Sequence, residues 1–221
     1  MMNYCLCCAV AFANSLPTEP PRRRRAAPTA ALSRAVASPQ RSLDDDENRC
    51  SVLTVGHSTR PIGAFIELLV AHGVTQLVDV RSVPPSRHNP QFNKYALPVP
   101  LAAANIGYAH ASGLGGFRPT TPGSPNAAWR NLSFRDADYM QTTDFAANLA
   151  SVIELARNDR VALMCAEAVP WRCHRSLIAD ALLVHGIATC EIVSPNRLQP
   201  HKLTPFARVR GERITYPFAE P

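Results

Sequence analysis

The sequence predicts an α/β domain: a Rossmann-like three-layer sandwich with a mainly parallel sheet, plus a small C-terminal hairpin. Two observations carry this. Short apolar runs ("SVLTV", "QLVDV", "RVALMC" and "CEIV") alternate with segments whose apolar residues fall at helical spacing. That alternation implies βαβ units, whose crossover helices cover both faces of a parallel sheet.

The elements follow in order. "SVLTVGHS" reads as a buried strand, Ser51 to Val55, ending in Gly56-His57-Ser58. The helix "TRPIGAFIELLVAHG" follows, with Ser58 or Thr59 as its cap, Pro61 in its first turn and Gly73 as its stop. Gln76 to Val80 is a second strand, and Asn105 to Ala111 a third after a Pro-rich connection. Phe145, Leu149, Val152, Ile153 and Ala156 form a helical stripe. Arg160 to Cys165 is a buried strand, "CHRSLIADALLVHG" a helix ended by Gly186, and "CEIV" the last core strand. The tail "FARVRGERITYP" reads as a hairpin turning at Arg210-Gly211, expected on the sheet edge or at the site.

Three regions result: an extension 1–49, an α/β domain 50–195 and a basic tail 196–221 packing on it. The extension is mildly apolar, then rich in Pro, Ala, Arg and Ser, a composition that cannot form a packed core and reads as disordered. Arg22 to Arg25 follow the apolar stretch, whereas a signal peptide carries its charge before it. The composition also suits a transit peptide, although a poorly constrained extension is the plainer reading. Of the formal net charge of +6, almost none belongs to 50–195, where eleven basic residues face ten acidic ones. No apolar run approaches the roughly 18 residues of a membrane-spanning helix, so no membrane partner is expected.

Seven cysteines are too few and too irregular for a disulfide scaffold. Cys5, Cys7 and Cys8 lie in the extension; Cys50, Cys165, Cys173 and Cys190 lie at strand ends or a helix start. This pattern reads as free thiols in a reducing, cytoplasmic setting. No pair has zinc-finger spacing, so no residue is assigned to a metal.

Ligands of open α/β sheets bind beyond the carboxyl ends of the strands, and several polar groups fall there. His57 and Ser58 end the first strand, Asp79 and Arg81 the second, Cys165 and Glu167 the fourth, and Cys173-His174-Arg175 opens the next helix. "PPSRHNPQF", with Ser86 and Arg87, and "GLGGF" can fold over the same edge. A helix N-terminus favours an anion and lowers a nearby thiol's pKa, so Cys165 or Cys173 can be a thiolate nucleophile. Glu167 or Asp79 can act as general base, or orient His57 or His174. Arg81, Arg87 and Arg175 can hold a phosphate or carboxylate. Plainer roles stand beside these: the cysteines as core, Asp79 and Arg81 as a structural ion pair, His57 as the cap of its own turn. Cys165 lies seven residues before Arg172, with Pro170 and Trp171 between, so the spacing is not that of a phosphatase loop.

"TVGHSTRPIGAFIELLVAHGVTQLVDVRSVPPSR", "GLGG" and "VALMCAEAVPWRCHRSLIADALLVHG" together resemble the bacterial and archaeal family called domain of unknown function 488. The resemblance covers about Ser51 to Val193, and "HKLTPFARV" is similar to the tail of many members. It implies a compact Rossmann-like α/β protein, with an association to DNA repair in some members. The family's recurrent polar motifs fall on His57, Ser58, Asp79, Arg81, Ser86, Arg87, Cys165, Glu167, Cys173, His174 and Arg175. The chain departs in "NKYALPVPLAAAN", where Pro98 and Pro100 interrupt what would otherwise read as a helix.

The expectation is a Cys/His-dependent enzyme with a small anionic or nucleotide-like ligand. A nucleic-acid-binding module and a thiol-ligated metal protein are the alternatives. The sequence names no cofactor and no oligomeric state.

Overall fold

Eight strands and four α-helices make up the structure, a computed structural model that describes residues 50–83, 88–119, 121–128 and 136–218. The expected extension 1–49, with its tail cysteines, lies outside the described residues, as do Ser86 and Arg87. The strands are β1 (Val52–Gly56), β2 (Gln76–Asp79), β3 (Gly107–His110), β4 (Val161–Cys165), β5 (Thr189–Ser194), β6 (Arg197–Pro200), β7 (Arg208–Arg210) and β8 (Arg213–Thr215). The helices are α1 (Ile62–Ala71), α2 (Pro98–Ala103), α3 (Thr143–Leu155) and α4 (Arg175–Val184).

Six strands form one sheet in the order β3-β2-β4-β1-β5-β6. The first five are parallel to one another, and β6 is antiparallel to β5 at the edge. Alternation along each strand creates the layers. Val52, Val78 and Leu163 face a core shared with α3 and α4, whereas Leu53, Leu77 and Met164 face one shared with α1 and α2. The predicted mainly parallel α/β fold with a C-terminal hairpin is therefore observed. Among the described residues, no helix is long and apolar enough to cross a membrane.

Local details depart from the sequence reading. Pro61 is itself the N-cap of α1, with no side-chain cap, and Ser58 instead takes a left-handed φ of 50° that turns the chain at the end of β1. Pro98 and Pro100 start α2 rather than interrupt it, because N–H groups of a first helical turn have no intrahelical acceptor to lose. β6 was not expected, since "RLQP" buries only Leu198, as an edge strand can. Cys50 and Cys190, read as free thiols, are joined in a disulfide across Cα atoms 5.7 Å apart.

The hairpin β7–β8 contributes to the apolar core. Ile214 and Tyr216 belong to the core shared with α3 and α4. The Tyr216 hydroxyl donates to Asp180 Oδ2 at 3.0 Å, while His201 and the Thr204 N–H hold Asp180 Oδ1 at 2.8 and 3.1 Å. One buried carboxylate on α4 thus ties down the whole tail.

The order of the strands explains where a site forms. The chain leaves β1 through α1 toward β2, and leaves β4 through α4 toward β5, on opposite faces and in opposite directions. The crevice between β1 and β4 is the switch point at which such sheets bind ligands. There the segment after β4 crosses Gly56 so closely that a Cβ on Gly56 would meet the Ala168 Cα at 2.8 Å. Gly56→Ala is expected to destabilise the protein by about 1–3 kcal/mol in urea unfolding. Gly63→Ala, where a Cβ meets open space, is expected to stabilise α1 by about 0.5–1 kcal/mol.

Candidate functional site

A cleft of about 450 Å³ opens at this switch point, lined from three strand ends and the loops between them. His57 and Ser58 contribute from β1, Arg81 and Ser82 from β2, and Cys165 to Ala168 from β4. Arg172, Cys173 and His174 also line it, with Gly116, Phe117 and Asp136. Seven sequence-predicted residues therefore meet in one cleft: Cys165, Cys173, His174, Glu167, His57, Ser58 and Arg81.

Its floor is a sulfur–nitrogen cluster. Cys165 ends β4, and Cys173 follows a 3₁₀ turn, Pro170–Arg172, in extended conformation. His174 is the N-cap of α4 and turns its ring inward. Its Nε2–H donates to the Val80 carbonyl at 3.0 Å, which leaves Nδ1 directed at Cys165 Sγ (3.9 Å) and Cys173 Sγ (3.8 Å). All three residues are less than a tenth exposed.

Charge within the cluster is distributed unequally. The Cys173 thiol donates to Cys165, which outweighs burial and, with His174 beside it, holds the Cys165 thiol well below its usual range. Giving that proton, together with burial, pushes Cys173 well above it. Burial lowers His174, but Cys165 more than offsets this and the net direction is upward.

Other predicted residues prove to be struts. Asp79 has no exposed surface and accepts from Arg81 Nε (2.8 Å), Arg81 Nη2 (2.6 Å) and the Tyr108 hydroxyl (2.9 Å). Arg81 also donates to the Phe92 carbonyl at 2.6 Å and to His57 Nε2 at 3.1 Å. Four of its five N–H groups are thus committed, and it lines the cleft without being free to clasp an anion. His57 donates from Nδ1 to the Ser58 carbonyl at 2.8 Å and stacks on Phe92 with centroids 4.1 Å apart. With both nitrogens engaged, His57 lines the cleft between Arg81 and Phe92, and burial, with the Arg81 charge, holds its pKa down.

Arg175, expected to bind an anion, is completely buried. It pairs with Glu191 at 2.8 Å and donates to the carbonyls of Glu167 and Ala168, fastening the segment that carries Cys165. Glu167 is exposed at the rim, where its carboxylate accepts from the Val169 N–H at 3.1 Å, and its backbone N–H donates to Cys165 sulfur. "GLGG" acts by close approach: a Cβ on Gly116 would stand 2.7 Å from Asp136 Oδ2 and 3.0 Å from His174 Nδ1.

Two residues escaped the sequence reading as ligand groups. Asp136 sits in "FRDADY", a short polar stretch without motif or periodicity. Its Oδ1 accepts from the Arg118 N–H at 2.7 Å, whereas Oδ2 is buried without a partner among the described residues. Burial raises its pKa. Arg172, considered only for its spacing from Cys165, is an exposed guanidinium at the cleft and forms no ion pair among the described residues.

The sequence model of the family described as Domain of unknown function DUF488 matches residues 61–182, more than half of the chain. The chain belongs to the DUF488 family. No curated protein and no solved structure matches it. The DUF488 span holds Asp79, Arg81, Asp136 and the whole Cys165–His174 segment, while His57 and Ser58 lie just before it.

The Asp79–Arg81 pair leads to a stability prediction. Arg81→Met leaves a buried, unpaired carboxylate and is expected to cost about 3–5 kcal/mol in guanidinium unfolding. Adding Asp79→Asn is expected to recover part of that loss, since removing both charges strands neither.

Proposed function

We propose that the chain is an enzyme whose reaction centre is the Cys165–Cys173–His174 cluster, acting on a small, anionic, nucleotide-like substrate. The observation that carries this reading is the convergence of two buried thiols and an imidazole nitrogen on the floor of a cleft at the sheet's switch point. A cleft of about 450 Å³ is of the size that encloses a small ligand. Arg172 supplies the charge for an anionic group. Phe117 supplies an aromatic face at the rim, 82% exposed and held at a left-handed φ of 68°. A bulky residue held in that conformation stores strain of the kind that gathers at ligand sites. Binding of the four ribonucleoside monophosphates, measured by isothermal titration calorimetry with inorganic phosphate as reference, tests the substrate class. Arg172→Ala and Phe117→Ala are each expected to weaken the preferred nucleotide about tenfold. Turnover of a panel of phosphate, thioester and nucleotide substrates is expected to vanish in Cys165→Ser. Activity or binding indifferent to all three changes would sink the reading.

Nucleic-acid binding has a separate observation in its favour. The pairing Arg208↔Thr215 and Arg210↔Arg213 places three arginines on the face of the hairpin opposite buried Ile214. Two like charges stand directly across from each other, an arrangement that costs stability unless an anion sits between them. Affinity for a duplex or single-stranded oligonucleotide is then expected to fall steeply with salt. Replacing all three arginines by Ala is expected to flatten that slope; an unchanged slope excludes the hairpin.

A further inference from the structure

A single nucleophile needs one thiol and one base. The floor of the cleft holds two buried thiols about equally distant from one ring nitrogen, 3.9 and 3.8 Å. The three donor atoms, the two Sγ and Nδ1, all lie within 4.8 Å of one another. Separations just under 4 Å are close to the edges of a tetrahedron whose centre lies about 2.0–2.3 Å from sulfur and nitrogen ligands.

The surroundings of the cluster agree with that geometry. The hydrogen bond from His174 Nε2 to the Val80 carbonyl fixes the ring and its tautomer, as the carbonyl partner of a metal-bound histidine does. Asp136 adds an independent observation. The residue is 5% exposed, and Oδ2 has no hydrogen-bond partner among the described residues. Oδ2 and His174 Nδ1 flank the same point above Gly116, at 2.7 and 3.0 Å from where a Cβ would be. A buried carboxylate oxygen left without a donor is costly, so a donor belongs in the space it faces.

We propose that Cys165 Sγ, Cys173 Sγ and His174 Nδ1 bind one divalent zinc-type ion, with a fourth position open to the cleft. Two thiolates and an imidazole suit a borderline-soft ion and disfavour magnesium or calcium, which take oxygen ligands. Three protein ligands plus an open position is the arrangement of a catalytic rather than a structural zinc. Asp136 Oδ2 is not part of the tight three-atom set, so its place is beside the ion, accepting a hydrogen bond from water in the open position. The inference rests on the reading that this cluster is the reaction centre and names the cofactor that centre uses.

The full chain, produced with zinc present, is expected to carry about one zinc per molecule by elemental analysis. Cobalt substitution is expected to give tetrahedral visible bands and a sulfur-to-cobalt charge-transfer band. Cys165→Ser, Cys173→Ser and His174→Asn are each expected to lose the ion, whereas a chain with Cys5→Ser, Cys7→Ser and Cys8→Ser keeps it. Asp136→Asn is expected to retain the stoichiometry with about tenfold weaker affinity in a pyridylazoresorcinol competition. If the cysteine variants do not fold, zinc-edge X-ray absorption of the unaltered chain decides, with two sulfur, one nitrogen and one oxygen neighbour expected. A metal-free chain that fails to take up added zinc overturns the inference, as does a bound ion that survives in folded Cys165→Ser. In either outcome, turnover or nucleotide binding that still depends on Cys165 and Arg172 leaves the proposed reaction centre standing without a metal.

Discussion

The guanidinium of Arg175 joins three parts of the molecule at one point. It extends from the first residue of α4 to Glu191 on β5 and to the carbonyls of Glu167 and Ala168 in the segment after β4. Thr54 on β1 completes the pair by donating to Glu191. Buried ion pairs of this kind add little net stability over an apolar core, but stranding one partner is severe, so they act as registry devices. Here the registry is that of the Cys165–Cys173 segment: its carbonyls are fastened from below, and its sulfur atoms are left at the floor of the cleft.

A second guanidinium does the same work on the other wall. Arg81 binds Asp79, the Phe92 carbonyl and His57, so that β2, Phe92 and the end of β1 are tied together. The two arginines that look most like ligand groups are therefore the framework, and the cleft owes its shape to them. What they frame is a small set of groups whose bonding is not exhausted by the fold: two thiols, an imidazole nitrogen, the Asp136 oxygen and the exposed Arg172. Gly56 and Gly116 belong to the same logic, since each removes a side chain at a point where backbone or a reactive atom must come close.

Much of this was legible in the chain alone. Short apolar runs separated by helical stripes led to the parallel sheet, because burial on both faces leaves that pattern. The placement of His57, Arg81 and Cys165 at strand ends and His174 at a helix start led to one edge of the sheet, because parallel strands all end on the same side. The edge strand β6 was hidden because one buried leucine in four residues does not make a period. The start of α1 was misplaced because Ser58 and Thr59 carry capping hydroxyls whether or not a helix begins there, and that of α2 because proline at a helix start looks, locally, like proline that interrupts one.

The sequence by itself determined the layers, the edge on which the polar residues gather, and the family motifs that collect there. The tertiary structure decided which of those residues are free. An arginine at a strand end has the same local sequence whether its five donors meet a ligand or protein carbonyls, and only the neighbours brought from distant segments distinguish the two. Asp136 shows the converse. Nothing around it in the chain marks it, and its importance arises solely because folding buries one of its oxygens beside His174, with no hydrogen-bond donor among the described residues.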